Sequence, residues 1–325
     1  MFGRLSSLSS VAALAFAVAT PASAYMVYVS NEKDNTVTVV DSETMEVVKT
    51  IDVGQRPRGI TISHDGKLIY LCASDDDTIE IIDTATNQIV GSLPSGPDPE
   101  LFVLSPDGET LYVANEDDNL VTVIDLDSKS VVAEIPVGVE PEGMGISPDG
   151  KAMVNTSETT NMAHFIDTAS NEITHNVLVD SRPRFAEFKP DNSEVWVSAE
   201  IGGTVSVIDN ESREIKQKIS FDIPGLRSEA IQPVGVRITA DGKKAYVALG
   251  PANRVAVVNT ETYGVEKYVL VGQRVWQLAF TPDQKTIIST NGVSNDITFI
   301  DVATDEPVQS VTVGALPWGV VVSPQ

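Results

Sequence analysis

Short apolar runs separated by polar turns repeat along almost the whole chain. Between Arg58 and Pro94 the runs RGITIS, KLIYLCAS, TIEIID and QIVGSLP are separated by HDG, DDD and TATN. Apolar alternation over such short lengths, bounded by Gly, Asp and Asn, is typical of β-strands joined by tight turns. The unit therefore predicts four strands, and its spacing leaves no room for helices.

The four-strand unit recurs at a fixed period. Its third run ends at Asp41, Asp83, Asp125, Asp167, Asp209, Asn259 and Asp301, so the spacing is 42 residues except for one step of 50. A period of this size predicts the blades of a β-propeller. We place the 8-residue excess within Ser220 to Pro233, just before a blade begins.

The two termini complement each other. The stretch from Tyr25, YMVYVS, matches a second strand, whereas the C-terminal PWGVVVSPQ matches a first strand. The sequence therefore predicts an all-β, seven-bladed propeller whose ring is closed by one C-terminal strand joining three N-terminal strands, in a single domain from residue 25 to residue 325. Such closure leaves no free sheet edge.

Residues 1–24 have a different character. One early Arg4, an apolar run from Val11 to Ala19 and the small residues before Tyr25 are typical of a secretory signal peptide. We expect cleavage after Ala24 and export to the periplasm.

The charge of the chain narrows the choice of partner. Its formal net charge is −24, which disfavours nucleic acid and membrane surfaces and favours a basic protein or a cation. The single cysteine, Cys72, excludes an intramolecular disulfide, and we expect it to be buried. We also expect a monomer.

Tyr112 to Asn115 read YVAN, and related tetrapeptides stand at the same place in other units. These units resemble the YVTN family of β-propeller repeats. With the signal peptide and the length, the chain is most similar to the PQQ-dependent catabolism-associated β-propellers. The resemblance implies a periplasmic accessory of quinoprotein alcohol oxidation, with a quinoprotein dehydrogenase or cytochrome c as partner. It implies no reaction that can be carried over to particular residues.

One position of the repeat varies in an informative way. After the proline that begins each unit, or its equivalent, basic, acidic and aromatic residues alternate around the ring. We predict a binding face at the channel mouth, with the candidate ligand- or partner-binding residues Arg58, Glu100, Glu142, Arg184, Arg274, Trp276 and Trp318. Arginine suits carboxylates and tryptophan is a large anchor, so a small anionic or aromatic ligand fits as well as a protein. The simpler alternative is a solvated mouth in which Arg and Glu pair between neighbouring blades and the tryptophans only pack.

The chain offers little for catalysis. Its three histidines lie away from the expected channel lining, and it has no zinc-type or haem-attachment motif. Acidic loops such as SDDDT and NEDDN could converge on calcium, but they fit polar hairpin turns better. We predict no catalytic residue, no bound metal and no cofactor.

Three functions stay open from the sequence. The first is a non-catalytic binding or scaffold protein, and the second is a lactonase-like hydrolase that uses Glu100 or Glu142. The third, single-stranded nucleic-acid binding through Trp276 and Trp318, is opposed by the net charge.

Overall fold

The computed structural model describes residues 24–324, which form seven four-stranded antiparallel sheets. These sheets are the blades of a ring, so the predicted all-β, seven-bladed propeller is confirmed. Within residues 24–324 there is no α-helix, only two 3₁₀ turns at Ser74–Asp76 and Ser228–Ala230. The predicted signal peptide lies almost entirely outside the described residues.

The strands are five to seven residues long, apart from one of three, as the short apolar runs predict. The first three are β1 (Met26–Asn31), β2 (Thr36–Asp41) and β3 (Val47–Asp52). Blade 2 contains β4 (Pro57–Ile62), β5 (Leu68–Ala73), β6 (Thr78–Asp83) and β7 (Gln88–Pro94). Blade 3 contains β8 (Pro99–Leu104), β9 (Thr110–Asn115), β10 (Leu120–Asp125) and β11 (Ser130–Pro136).

The remaining blades follow the same order. Blade 4 contains β12 (Pro141–Ile146), β13 (Ala152–Ser157), β14 (Met162–Asp167) and β15 (Glu172–Leu178). Blade 5 contains β16 (Pro183–Phe188), β17 (Glu194–Ala199), β18 (Thr204–Asp209) and β19 (Ile215–Ser220). Blade 6 contains β20 (Val236–Ile238), β21 (Lys244–Ala248), β22 (Arg254–Asn259) and β23 (Val265–Leu270). Blade 7 contains β24 (Val275–Phe280), β25 (Thr286–Asn291), β26 (Asp296–Asp301) and β27 (Glu306–Thr312), and the last strand is β28 (Pro317–Val322).

The ring closes in blade 1, where the C-terminal strand β28 pairs antiparallel with β1. Val27 pairs with Val322, and the sheet continues through β2 to β3. The backbone N–H of Gly319 also donates to Ser30 Oγ at 2.9 Å. Closure by one C-terminal and three N-terminal strands is as predicted.

The turns between first and second strands use the residues that their backbone requires. Gly108 in SPDG has φ of 78°, and the replacements Asn192 and Gln284 have φ of 63° and 59°. This left-handed region is the one that glycine and asparagine tolerate best. The degenerate motifs KPDN and TPDQ therefore keep the same turn.

The innermost strands are β28, β4, β8, β12, β16, β20 and β24, and they surround the central channel. Their third residues, counted from Pro57 and its equivalents, alternate between glycine and larger residues: Gly59, Leu101, Gly143, Phe185, Gly235, Gln277 and Gly319. A Cβ atom on Gly143 would lie 2.8 Å from the carbonyl carbon of Arg184 in the next blade. Glycine here lets neighbouring innermost strands approach closely.

The hydrophobic core lies between successive blades. The middle strands of each blade are almost entirely buried, whereas the fourth strands are mostly exposed. The extra residues of the long repeat lie between β19 and β20, as expected. None of the helical segments in residues 24–324 has the length and apolar character needed to cross a membrane.

Candidate functional site

The face where the innermost strands begin also carries the loops between second and third strands. The backbone N–H of Glu158, in such a loop, donates to the carbonyl oxygen of Glu140 at 2.9 Å. We call this the top face, and the charged ring at its centre the channel mouth. Within residues 24–324 the mouth comprises Arg56, Arg58, Arg182, Arg184 and Arg274 together with Glu32, Asp75, Asp98, Glu100, Glu116, Glu140, Glu142, Glu158 and Glu200.

Arg58 and Glu100 occupy equivalent places in neighbouring blades and form an ion pair. The Glu100 side chain is fully buried. Arg56 adds a second guanidinium group, with Nη2 3.5 Å from Glu100 Oε1, and it also pairs with Asp98 and Asp75. The network therefore links side chains of two blades and of the loops above them.

Arg184 is the most buried arginine of the mouth, with its side chain 3% exposed. Its Nη2 atom lies 2.9 Å from Glu142 Oε1, its Nη1 atom donates to Glu158, and Nε lies 3.8 Å from Glu200. These three carboxylates outweigh burial and raise the pKa of Arg184. Arg182 joins the same acids, 3.0 Å from both Glu158 and Glu200.

The two tryptophans differ in exposure. Trp318 is fully buried, with the Arg58 guanidinium 5.0 Å from the centre of its ring. Trp276 is half-buried, and the guanidinium of Arg274 lies 4.2 Å from its ring. Arg274 also donates to Glu200 at 2.7 Å and to Gln232 at 2.8 Å. Cation–π contacts therefore support the arginines from below.

The structure brings the predicted site residues together at one place. Arg58, Glu100, Glu142, Arg184, Arg274, Trp276 and Trp318 all lie at the mouth or directly beneath it. The pairing between neighbouring blades that the simpler alternative expects is also present. Trp318 has no surface that a partner could contact in this arrangement, and Arg58 and Arg184 are occupied by carboxylates. Glu100, Glu142, Glu158 and Glu200 are buried, so the accessible groups of the mouth are the other five acids together with Arg56, Arg182 and Arg274.

Carboxylates crowd one side of the mouth. Oxygens of Asp98, Glu100 and Glu116 lie within 4.8 Å of one another, and so do those of Glu116, Glu140 and Glu158. Oxygen ligands that converge from several loops suit calcium. This convergence could hold a divalent cation, and the prediction that the chain binds no metal stays a prediction.

Burial and mutual repulsion change the pKa values of these acids. Burial raises the pKa of Glu100 to about 7, although Arg58 favours its charged form. Burial likewise raises the pKa of Glu158 to about 7 against the effect of Arg184. The pKa of Glu116 is raised by burial and by Glu142 and Glu158. The mouth is therefore short of positive charge when all its acids are ionised.

The groups with known catalytic potential are held in structural contacts. His164 is buried, and its Nε2 accepts a hydrogen bond from the Gly138 N–H at 3.1 Å. His64 lies on the opposite face, where its Nε2 contacts the carbonyl oxygen of Ser105 at 2.9 Å. Cys72 is buried as expected, and burial raises the pKa of its thiol well above the usual value.

A second pair of charged residues in the channel was missed from the sequence. Counted from Pro183 and Pro233, Glu187 and Arg237 are the fifth residues of adjacent repeats, and Arg237 Nη1 lies 3.1 Å from Glu187 Oε2. The other fifth residues are Thr61, Val103, Gly145, Ala279 and Val321. Of these seven equivalent positions, five have small uncharged residues and two have charged residues of opposite sign. This contrast is visible in the sequence and could have predicted the ion pair.

The comparisons with protein families match parts of the propeller. The choice-of-anchor I domain model matches residues 119–293, which is more than half of the chain. The chain belongs to the choice-of-anchor I domain family. The cytochrome D1 heme domain model matches residues 68–162 of the chain, and the seven-bladed lactonase model matches residues 12–93. These matches do not confirm the resemblance to the YVTN family or the link to PQQ-dependent catabolism, which stay predictions.

The likeness to solved structures concerns the fold. The chain is similar to the Kuenenia stuttgartiensis hydrazine synthase, with 23% identity and a TM-score of 0.79 over 86% of this chain and 93% of that one. It is also similar to a putative 6-phosphogluconolactonase from Bacteroides uniformis, with 18% identity and a TM-score of 0.77 over 93% and 100% of the chains. The dihydro-heme d1 dehydrogenase NirN gives 15% identity and a TM-score of 0.68 over 91% and 74%. No curated protein matches the chain in sequence.

Proposed function

We propose that the protein is a non-catalytic binding protein whose channel mouth takes up positively charged groups of a protein partner. The observation that carries this proposal is the imbalance at the mouth, where nine carboxylates face five guanidinium groups. Lysine or arginine side chains of a partner would supply the missing charge. Complementary charge of this kind mainly increases the association rate and the specificity.

The arginines of the mouth are already paired with carboxylates, so the mouth favours a positively charged ligand over an anion. Arg58 and Arg184 each contact at least two carboxylates, so an anion would have to displace an existing ion pair. Glu116 and Glu140 are only partly buried, and neither forms an ion pair with the residues in 24–324. A cationic side chain entering the mouth would meet these two carboxylates first.

The kind of partner rests on the sequence resemblance and on the relatives' names. We propose export to the periplasm and a partner in a redox pathway, either a quinoprotein dehydrogenase or a c-type cytochrome. Three redox-related names are consistent with this: the cytochrome D1 heme domain model, hydrazine synthase and the dihydro-heme d1 dehydrogenase NirN. The similarity to these proteins concerns the fold, so the redox partner is tested directly by binding.

Binding of a basic c-type cytochrome tests the proposal. We expect binding at low ionic strength that weakens steeply with added salt, because the contact is electrostatic. The double variant Glu116→Gln/Glu140→Gln should lower the association rate about tenfold or more, as for rim charges that steer a partner. Surface binding kinetics at several salt concentrations measures both effects.

A matched control removes two carboxylates from the opposite face. Asp127 and Glu211 are exposed in turns between third and fourth strands, so Asp127→Asn/Glu211→Gln changes the net charge equally. We expect this control to bind as the unaltered protein does. Absence of binding at low salt, or an equal loss in both double variants, would contradict a role for the mouth.

A lactonase-like hydrolase is the second candidate. It is favoured by the match to the lactonase family model and by the two clusters of three carboxylates that could hold a cation at the channel mouth. A divalent metal held by Glu100 and its neighbours would polarise a lactone carbonyl and lower the pKa of a water molecule bound to it.

Lactone hydrolysis distinguishes the two candidates. We expect turnover of δ-gluconolactone to stay at the uncatalysed rate with calcium, manganese or zinc present. Metal-dependent turnover that is lost in Glu100→Gln and retained in Asp127→Asn would favour the hydrolase over the binding protein.

A further inference from the structure

The central channel holds a second cavity, below the mouth and open to the opposite face. Its volume is about 330 Å³. About half of its surface is apolar, from side chains such as Ile60, Leu101, Met144, Phe185 and Phe188, and the polar part includes Thr61, His64, Glu187 and Arg237. Apolar cavities of this size with a few polar groups are the usual form of small-molecule sites.

The cavity exists because the channel lining changes size along its length. The third residues Leu101 and Phe185 are nearly buried and belong to the same hydrophobic cluster as Trp318, the second residue of β28. Two residues further along the strands, the side chains are small, as at Thr61 and Gly145.

One ion pair interrupts the apolar wall. Arg237 Nη1 donates to Glu187 Oε2 and to the carbonyl oxygen of Val236, both at 3.1 Å. Arg237 Nε and Nη2 form no hydrogen bond with any residue in 24–324, and the Arg237 side chain is 30% exposed. The guanidinium therefore presents unused donors where it lines the cavity. Its Cζ atom lies 4.6 Å from the centre of the Phe185 ring, and this cation–π contact holds the guanidinium against the wall.

The lower opening has a different charge balance from the mouth. In five of the six turns between first and second strands, an aspartate is paired with a lysine of the same turn: Asp65 with Lys67, Asp149 with Lys151, Asp191 with Lys189, Asp241 with Lys243, and Asp283 with Lys285. In these five turns each aspartate is thus matched by a lysine. An anion meets less repulsion here than at the mouth.

We propose that the lower cavity binds a small organic acid, with its carboxylate on the free edge of Arg237 and an aromatic or branched aliphatic body against the apolar wall. The carboxylate would accept hydrogen bonds from Nε and Nη2, the two-point geometry that arginine offers to carboxylates. The body would be buried against Leu101, Phe185 and their neighbours, which supplies the hydrophobic part of the affinity. This site does not depend on the function proposed for the mouth.

Benzoate is the probe that tests this proposal, because it combines a carboxylate with a compact ring. Titration calorimetry, supported by ¹⁹F NMR of 4-fluorobenzoate, should show binding to the full chain. Benzyl alcohol keeps the ring without the charge, and acetate keeps the charge without the ring. We expect each of these to bind at least about tenfold more weakly than benzoate, the factor that corresponds to roughly 1.4 kcal/mol.

Two variants locate the binding. Arg237→Gln removes the guanidinium and should weaken benzoate binding at least about tenfold. Val103→Phe keeps the ion pair and places a ring in the cavity, so it should also abolish binding. The control Arg227→Gln removes an exposed arginine from the loop before β20 and should bind normally.

The second variant keeps the test decisive if Arg237→Gln does not fold, since Val103→Phe leaves no charge unpaired. Circular dichroism checks that each variant is folded. The proposal is overturned if millimolar benzoate does not bind to the unaltered protein. It is also overturned if binding persists in folded Val103→Phe, or if benzyl alcohol binds as tightly as benzoate.

Discussion

Glu100 is a fully buried carboxyl group with two arginines beside it, Arg56 and Arg58. Its Oε1 atom faces both guanidinium groups, whereas its buried Oε2 atom has no hydrogen-bond partner in the described part of the chain. Removing a carboxylate from water is costly even when it is paired. The arginines therefore lessen this cost at Glu100 without cancelling it, and the raised pKa follows from that difference.

The raised pKa predicts how stability changes with pH. The pKa of Glu100 is about 7 in the folded protein and 4.5 ordinarily, so the folded state binds more protons between these values. The contribution of Glu100 to the free energy of unfolding is therefore largest below about pH 4.5 and falls until about pH 7. Glu158 acts in the same direction. We expect stability to decline from about pH 5 to about pH 8.

Urea unfolding at several pH values, with Glu100→Gln and a control, tests this prediction. The decline should be smaller in Glu100→Gln because one titrating group is gone. Glu109→Gln, in an exposed turn on the opposite face, should decline as the unaltered protein does. Identical pH dependence in all three proteins would show that Glu100 does not titrate in this range.

The sequence could predict the place of the mouth better than the contacts within it. Arg58 and Glu100 are one period apart, so the repeat alone puts them in equivalent places of neighbouring blades. The third contact of Arg184, Glu158, comes from a loop in the preceding blade, and its reach depends on side-chain geometry. Trp276 and Trp318 have equivalent positions, yet one is half-buried and the other fully buried. Such differences arise from neighbouring side chains and are not visible in a repeat.

At the level of strands, β28 performs a role that the sequence made predictable. Its apolar residues Val320–Val322 pair with Val27–Val29 of β1, and its match to the first strand of the repeat predicted that it closes the ring. It is also attached to blade 7, where Thr290 Oγ1 donates to the carbonyl oxygen of Trp318 at 2.7 Å. The strand therefore joins the first and last blades by both sheet pairing and side-chain contacts.

Deletion of residues 317–325 should destabilise the whole ring. It removes the closing strand together with buried Trp318 and exposes the edge of β1. Loss of one large buried side chain alone typically costs about 3–5 kcal/mol. We expect a melting temperature lower by at least about 10 °C, or aggregation during expression.

A shorter truncation provides the control. Removing only residues 324–325 leaves β28 intact and should change the melting temperature little. Calorimetry of the two truncated chains measures the difference. An unchanged melting temperature after deletion of residues 317–325 would mean that β28 is not needed to close the ring.

Over the whole molecule, the charged residues are arranged differently around the two openings of the channel. The mouth has an excess of carboxylates, whereas the turns around the lower opening contain lysines that match most of theirs. The fold itself followed from the period, because a repeat of about 42 residues with four short strands is typical of a propeller blade. The charge of each face was harder to predict from the sequence, because it depends on which strand ends each loop connects.

The net charge of −24 predicts a response to salt. Like charges repel across the folded surface, and added salt screens this repulsion more than it weakens the buried ion pairs of the mouth. Raising sodium chloride from about 10 to about 300 mM should therefore raise the melting temperature by a few degrees. Choline chloride should have the same effect, because screening does not depend on which cation is added. A melting temperature that falls with either salt would mean that surface ion pairs, such as Asp65 with Lys67, stabilise the protein more than the excess negative charge destabilises it.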